Sequence, residues 1–200
     1  SYGLVVLREG KMSSRYGTVI LYEDLRDEMV KKIGEIIKNS DAKNKEDIIK
    51  KVAFAAIKFP MLNIDSKRTI TFDWDQALDF EGKSGPYLQY SYVRAFNILK
   101  KAKIKKYDAS LLKEDIEIKL IKKITRFPDI IKQSAEQYSP NILANYLFEL
   151  AQDFNSFYHS SPVLKAEEDL KNTRLKLVES VRTVLKTGLN LLGIPILEKM

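Results

Sequence analysis

Cysteine is absent from this 200-residue chain, and histidine occurs once, as His159. Together these absences remove disulfides, thiol nucleophiles, Cys-ligated metals, imidazole metal clusters and His-based triads, so no metal site is expected. No apolar run approaches the roughly 18 to 20 residues that cross a bilayer. The N-terminus also lacks the charged, apolar and cleavage regions of a signal peptide. The expectation is therefore a cytoplasmic protein with no membrane partner. Ser1 is not an initiator methionine, and the segment Tyr2-Gly3-Leu4-Val5-Val6-Leu7 reads as a β-branched-rich strand. A lone strand cannot hold itself, so the expectation is that its sheet has been cut away and that the chain is the back end of a larger protein.

Hydrophobic residues make up 44% of the chain, enough for a substantial core, and the net charge is +7. That charge is uneven: residues 1–85 hold 15 basic and 14 acidic residues, leaving 19 and 13 for residues 86–200. Five lysines crowd into Lys100-Lys101-Ala102-Lys103-Ile104-Lys105-Lys106. A basic surface suits polyanions, because neutralised phosphates release counterions; solvated lysine-rich helices explain the charge equally well.

After the first strand the helical period dominates. Asp24 to Lys38 carries Leu25, Met29, Ile33, Ile36 and Ile37 on one side, and Asn44 to Phe59 follows with an Asn cap and a stop at Pro60. Arg68 to Phe72 reads as a short strand, and Asp73-Trp74-Asp75 opens a helical turn; Asp73 and Asp75 could suggest a metal or acid/base pair, but their i, i+2 spacing points them apart and a helix-capping role fits better. Gly82, Gly85 and Pro86 then punctuate the chain, and the domain boundary is placed there, giving units 1–85 and 86–200. Downstream, the pattern predicts helices over Tyr87–Lys103, Glu114–Thr125, Pro128–Gln137, Ser139–Tyr158 and Glu167–Leu192, the fourth opened by a Ser139 cap before Pro140 and the last ended by Gly193 and Pro195. The expected product is mainly α: a bundle of about five helices preceded by a small α/β unit.

Two clusters carry chemistry. Gly10-Lys11-Met12-Ser13-Ser14-Arg15 offers a flexible backbone, a cation and a hydroxyl; as a bare hexapeptide it reads as a surface turn. Tyr87, Tyr90 and Arg94 stand at i, i+3 and i+7 on one helix face. Tyrosine rings and guanidinium planes stack on unpaired RNA bases, although tyrosines on a bundle helix also serve as packing. Trp74 reads as a packing anchor and His159 as a surface residue at a helix end. Arg174 and Arg182 share a face, and the sequence leaves open whether they brace the bundle or meet RNA.

Three collinear segments resemble the arginyl-tRNA synthetases, a family of class I aminoacyl-tRNA synthetases. The first is the strand and loop of residues 2–25, with Gly17-Thr18-Val19 and Glu23-Asp24-Leu25. The second, residues 71–98, contains Phe72-Asp73-Trp74-Asp75, Phe80-Glu81-Gly82 and Gly85-Pro86-Tyr87-Leu88-Gln89-Tyr90. The third, residues 143–200, contains Tyr146-Leu147, Phe157-Tyr158, Arg174-Leu175, Leu191-Leu192-Gly193 and the terminal Met200. The resemblance implies a remnant of the class I catalytic domain joined to an all-α anticodon-binding bundle. It also implies arginine–tRNA ligase activity in the full-length protein, with the isolated chain inactive. ATP with Mg²⁺ and arginine would be substrates, tRNA(Arg) the partner, and the protein a monomer. By the same resemblance Lys11, Met12, Ser13 and Arg15 bind ATP, Lys11 acting in catalysis, while Tyr87, Tyr90, Arg94, Tyr158 and Met200 bind tRNA. The chain departs from the common Lys-Met-Ser-Lys-Ser loop at Ser14, which leaves Arg15 to replace the second lysine. The alternatives are another class I synthetase and a non-catalytic basic helical scaffold or RNA-binding module.

Overall fold

A computed structural model of the chain describes residues 3–7, 21–37 and 44–199. Their order is β1 (Val5–Leu7), α1 (Tyr22–Ile36), α2 (Lys45–Leu62), β2 (Ile70–Phe72), α3 (Trp74–Ala77), α4 (Gly85–Lys100), α5 (Asp115–Thr125), α6 (Phe127–Glu136), α7 (Pro140–Ser160) and α8 (Glu168–Leu191). The expected five-helix bundle is α4 to α8, and the small α/β unit is what precedes it. The first strand corrects one expectation: β1 pairs in parallel with β2, in the register Val5 to Ile70 and Leu7 to Phe72. A partner 65 positions away in sequence was not visible to a reading that looked only for neighbouring strands.

Local chemistry places most helix ends. Asp73 caps α3 by accepting the N–H groups of Asp75 and Gln76 at 3.0 and 3.1 Å. Ser84 caps α4, its Oγ accepting from the Tyr87 N–H at 3.1 Å. At the end of α8, Gly193 adopts φ +64°, where a Cβ would be strained. The Ile194 N–H reaches the Leu189 carbonyl at 2.8 Å and the Gly193 N–H reaches that of Asn190 at 2.9 Å, a Schellman closure. Three expected details differ. Asn44 and Ser139 stand at N-cap positions but make no side-chain capping bond. Pro60 does not stop α2, which runs to Leu62. Near a helix end a proline removes a single intrahelical donor, and the Phe59 carbonyl is still taken by the Asn63 N–H at 2.9 Å.

Helix α4 lies at the centre, packed against α2, α7 and α8. Its start touches α2 so closely that a Cβ on Gly85 would sit 2.2 Å from the Ala55 carbonyl oxygen. One apolar core joins Met29 and Ile33 of α1 to Phe59, Leu88, Leu147, Phe154 and Leu185. The tail after α8 folds back over this centre: Gln89 Nε2 donates to the Pro195 carbonyl at 2.7 Å, and Lys58 Nζ to that of Gly193 at 3.1 Å.

Candidate nucleic-acid interface

The capped start of α4 sets Tyr87, Tyr90, Ser91 and Arg94 toward α7. Tyr87 is buried, its ring tilted against Phe148 with centroids 5.6 Å apart. Its hydroxyl accepts from Asn155 Nδ2 at 2.9 Å, and the same amide donates to Ser91 Oγ at 2.9 Å. Asn155 Oδ1, facing the other way, accepts from Arg94 Nη1 at 2.6 Å. Arg94 Nη2 then donates to the Tyr90 hydroxyl at 2.9 Å. The guanidinium is thus held by a chain of hydrogen bonds that begins in the core.

Held there, the guanidinium carbon lies 4.7 Å from the ring centroid of Tyr90 and 4.7 Å from that of Tyr158. Both rings remain exposed, at 40% and 41%. Tyr158 in turn meets the edge of the exposed His159, with centroids 5.5 Å apart. A cavity of about 440 Å³ opens beside this stack, lined by Phe80, Glu81, Tyr87, Tyr90, Arg94, Asn155 and His159. The arrangement presents π faces, one delocalised cation and one carboxylate to solvent. Such a surface suits a flat, hydrogen-bonding group stacked on aromatics.

Of the residues expected to meet RNA, the structure brings Tyr87, Tyr90, Arg94 and Tyr158 together. Tyr87 differs from the expectation of an open stacking ring: its first-turn position faces the α4–α7 contact, so its ring packs and only its hydroxyl belongs to the network. Met200 lies outside the described residues, as do Lys11, Met12, Ser13 and Arg15. Asn155, which orients Arg94, went unnoticed in the sequence. Its signal was its position on the buried face of α7, one residue after Phe154 and four after Ala151, where burial obliges an amide to find partners.

The two arginines of α8 separate. Arg174 is buried and braces the bundle: Nε donates to Glu117 Oε1 at 2.7 Å, Nη2 to Glu114 Oε1 at 2.5 Å and Nη1 to the Pro162 carbonyl at 3.1 Å. Arg182 lies 5.9 Å from the Phe96 ring centroid, away from the Arg94 stack. Trp74 is a packing residue, edge-on to Phe72 at 5.3 Å and covered by Lys32 Nζ at 5.5 Å. In the lysine-rich segment, Lys100 Nζ covers the Phe96 ring at 4.4 Å, and Lys105 pairs with Glu168 at 3.3 Å.

The family model of the DALR anticodon-binding domain matches residues 88–200. The chain belongs to that family. Its whole length also aligns with curated arginine–tRNA ligases, 43% identical for the Halothermothrix orenii protein and 41% for that of Methanocella arvoryzae, covering 36% of each. This DALR chain thus spans about a third of the length of the curated relatives it matches. Among solved structures, Thermus thermophilus arginyl-tRNA synthetase superposes with a TM-score of 0.92 at 36% identity, over 100% of this chain and 35% of that one. The Plasmodium falciparum arginyl-tRNA synthetase gives 0.69 at 25% identity, over 89% and 32%. No helix among the described residues is long and apolar enough to cross a membrane.

Proposed function

We propose that this chain is the C-terminal, tRNA-reading part of an arginine–tRNA ligase, and that residues 86–200 form the unit that grips the anticodon loop of tRNA(Arg). The observation that carries the reading is the Arg94 guanidinium fixed between the exposed rings of Tyr90 and Tyr158. Unpaired bases gain by stacking on such rings, and a guanidinium also reaches phosphate or base edges. In this reading Met200 also contacts tRNA, while Tyr87 and Asn155 hold the arginine in place.

Residues 1–85 supply the loop that closes over ATP. The whole enzyme joins arginine to ATP, with Mg²⁺, as an adenylate before transfer to tRNA. Lys11 supplies a cation as pyrophosphate leaves, Ser13 a hydroxyl and Arg15 the charge missing at Ser14, with Met12 lining the nucleotide. The arginine pocket belongs to the rest of the enzyme, so the isolated chain binds tRNA but does not aminoacylate. The reading includes a monomer in the cytoplasm.

The deciding experiment is nuclease footprinting of tRNA isoacceptors on this chain. Protection of the anticodon loop of tRNA(Arg) above that of other isoacceptors is the expected result. Equal protection of all loops would point to a general RNA-binding module, and none to a scaffold.

A further inference from the structure

A second cavity, about 320 Å³, opens between α5, α6 and α7. Four basic side chains line it: Lys119, Lys122 and Lys123 of α5 and Arg126 at its C-cap, at i, i+3, i+4 and i+7, so that one face of the helix turns all four the same way. Glu149 is the one acidic residue in the lining. The cations divide into two kinds. Lys119 pairs with Asp153 at 2.6 Å, and Lys123 with Glu149 at 3.0 Å and Asp153 at 3.1 Å. Lys122 and Arg126 are exposed and form no ion pair among the described residues.

Helix dipoles explain only part of this. Lys122 and Lys123 occupy the last turn of α5, where cations are favoured. Arg126 is at once the C-cap of α5 and the N-cap of α6, so the two helix dipoles act on its charge in opposite senses. Two like charges four residues apart repel, and neither forms an ion pair with the Glu149 of the lining or with Asp129 in the first turn of α6. Beneath them the cleft is apolar, formed by Ile130, Ile142 and Tyr146. The Tyr146 hydroxyl is already used, donating to the Lys123 carbonyl at 2.8 Å, and its ring stacks on Phe127 at 5.8 Å. The Asn145 amide nitrogen is likewise taken by the Asn63 and Asn141 carbonyls.

We infer that this cleft binds backbone phosphates of RNA, with Lys122 and Arg126 as the contacts. The inference rests on the reading above for its choice of RNA over other polyanions. Position supports that choice. Asn145 at this cleft and His159 at the Arg94 stack are fourteen residues apart on α7, which returns them to nearly the same face about 21 Å apart. A strand whose bases meet the Arg94 stack can therefore continue along α7 to the cleft within a few nucleotides. The floor is apolar apart from Asn145, whose buried Oδ1 has no hydrogen-bond partner among the described residues, so cations and apolar surface suited to holding backbone make up most of the cleft.

The test uses this chain and hexauridylate, followed by amide NMR, with a tRNA titration at several salt concentrations. Saturable shifts of the Lys122, Lys123 and Arg126 amides are expected on adding hexauridylate. The Lys122→Ala/Arg126→Ala variant should lose them and lower the salt slope of tRNA binding by about 1.4, two phosphate contacts at roughly 0.7 each. The milder Lys122→Gln/Arg126→Gln variant should give the same loss, should the alanine pair alter folding. No shift at these amides, or an unchanged slope, overturns the inference. Equal shifts from deca-glutamate at matched ionic strength overturn it too, making the cleft a site for acidic peptide. A wild-type chain that fails to retain tRNA would sink the proposed function alone, provided hexauridylate still moved the Lys122 and Arg126 amides.

Discussion

Arg174 Nε donates to Glu117 Oε1 at 2.7 Å across the contact between α8 and α5, with side chains only 4% and 1% exposed. Glu117 is fixed from its other oxygen as well, since Oε2 accepts the N–H groups of Lys113 and Glu114 at 2.9 Å each. The arginine thus neutralises a carboxylate that closes the start of α5.

Removing that arginine should be costly. Arg174→Met leaves the Glu117 carboxylate buried and unpaired, and breaking a buried pair from one side costs about 3–5 kcal/mol. Urea unfolding at pH 7 measures it. Adding Glu117→Gln should recover part of the loss, because a neutral amide keeps a hydrogen-bonding oxygen without the buried charge. A single variant within about 0.5 kcal/mol of wild type, the range of ordinary surface changes, would remove the pair from the stability of the bundle.

Under the proposed function, the Tyr90–Arg94–Tyr158 stack predicts a separation of effects. Tyr90→Ala and Tyr158→Ala should each weaken tRNA binding by about 1–3 kcal/mol and hardly shift the melting temperature, since both rings are exposed. Arg94→Ala should flatten the salt dependence if it meets phosphate. It should also cost about 1–3 kcal/mol of stability by stripping the donor from the largely buried Asn155 Oδ1. Tyr87→Phe keeps the packed ring and should bind nearly as wild type. A Tyr87→Phe defect as large as that of Tyr90→Ala would mean that RNA reads the hydroxyl directly.

If the proposed function holds, Lys11→Ala in the longer protein should slow adenylate formation by about 10²- to 10³-fold, the common effect of losing one positioned charge contact, and change tRNA affinity little. Pyrophosphate exchange and filter binding measure the two quantities. An unaltered exchange rate would take Lys11 out of the nucleotide site.

Acid should loosen the link between α8 and the segment before α5. Lys171, Lys105 and Asn172 hold the Glu168 carboxyl down to about 2, from an ordinary 4.5. The Ser161 hydroxyl, then Arg174, lowers that of Glu114. A depressed carboxyl favours the folded state at pH values above its unfolded pKa. For Glu168 that contribution fades as pH falls from about 4.5 towards about 2. Melting temperature followed over this window should fall, less steeply in Glu168→Gln and in high salt, because the group is exposed and screened. A Glu168→Gln profile superimposable on wild type would show that Glu168 contributes nothing.

What the sequence determined by itself is what short-range chemistry decides. The aspartates beside Trp74, Gly193 after Leu192 and the 3.6-residue spacing of Leu143, Leu147, Leu150 and Phe154 act within a few residues, so that turn, that helix end and that buried face could be read directly, whereas the Asn44 and Ser139 caps and the Pro60 stop could not. The shared face of Tyr87, Tyr90 and Arg94 was legible for the same reason. Tertiary structure decided what depends on partners far along the chain. Val5 found Ile70, Arg174 found Glu114 and Glu117, and Asn155 met Arg94 from another helix. Whether an arginine is a brace or a contact depends on the counter-charge facing it, and whether a tyrosine stacks or packs depends on the helix above it. Those neighbours are brought by the packing of α4 against α7 and α8, which no local pattern specifies.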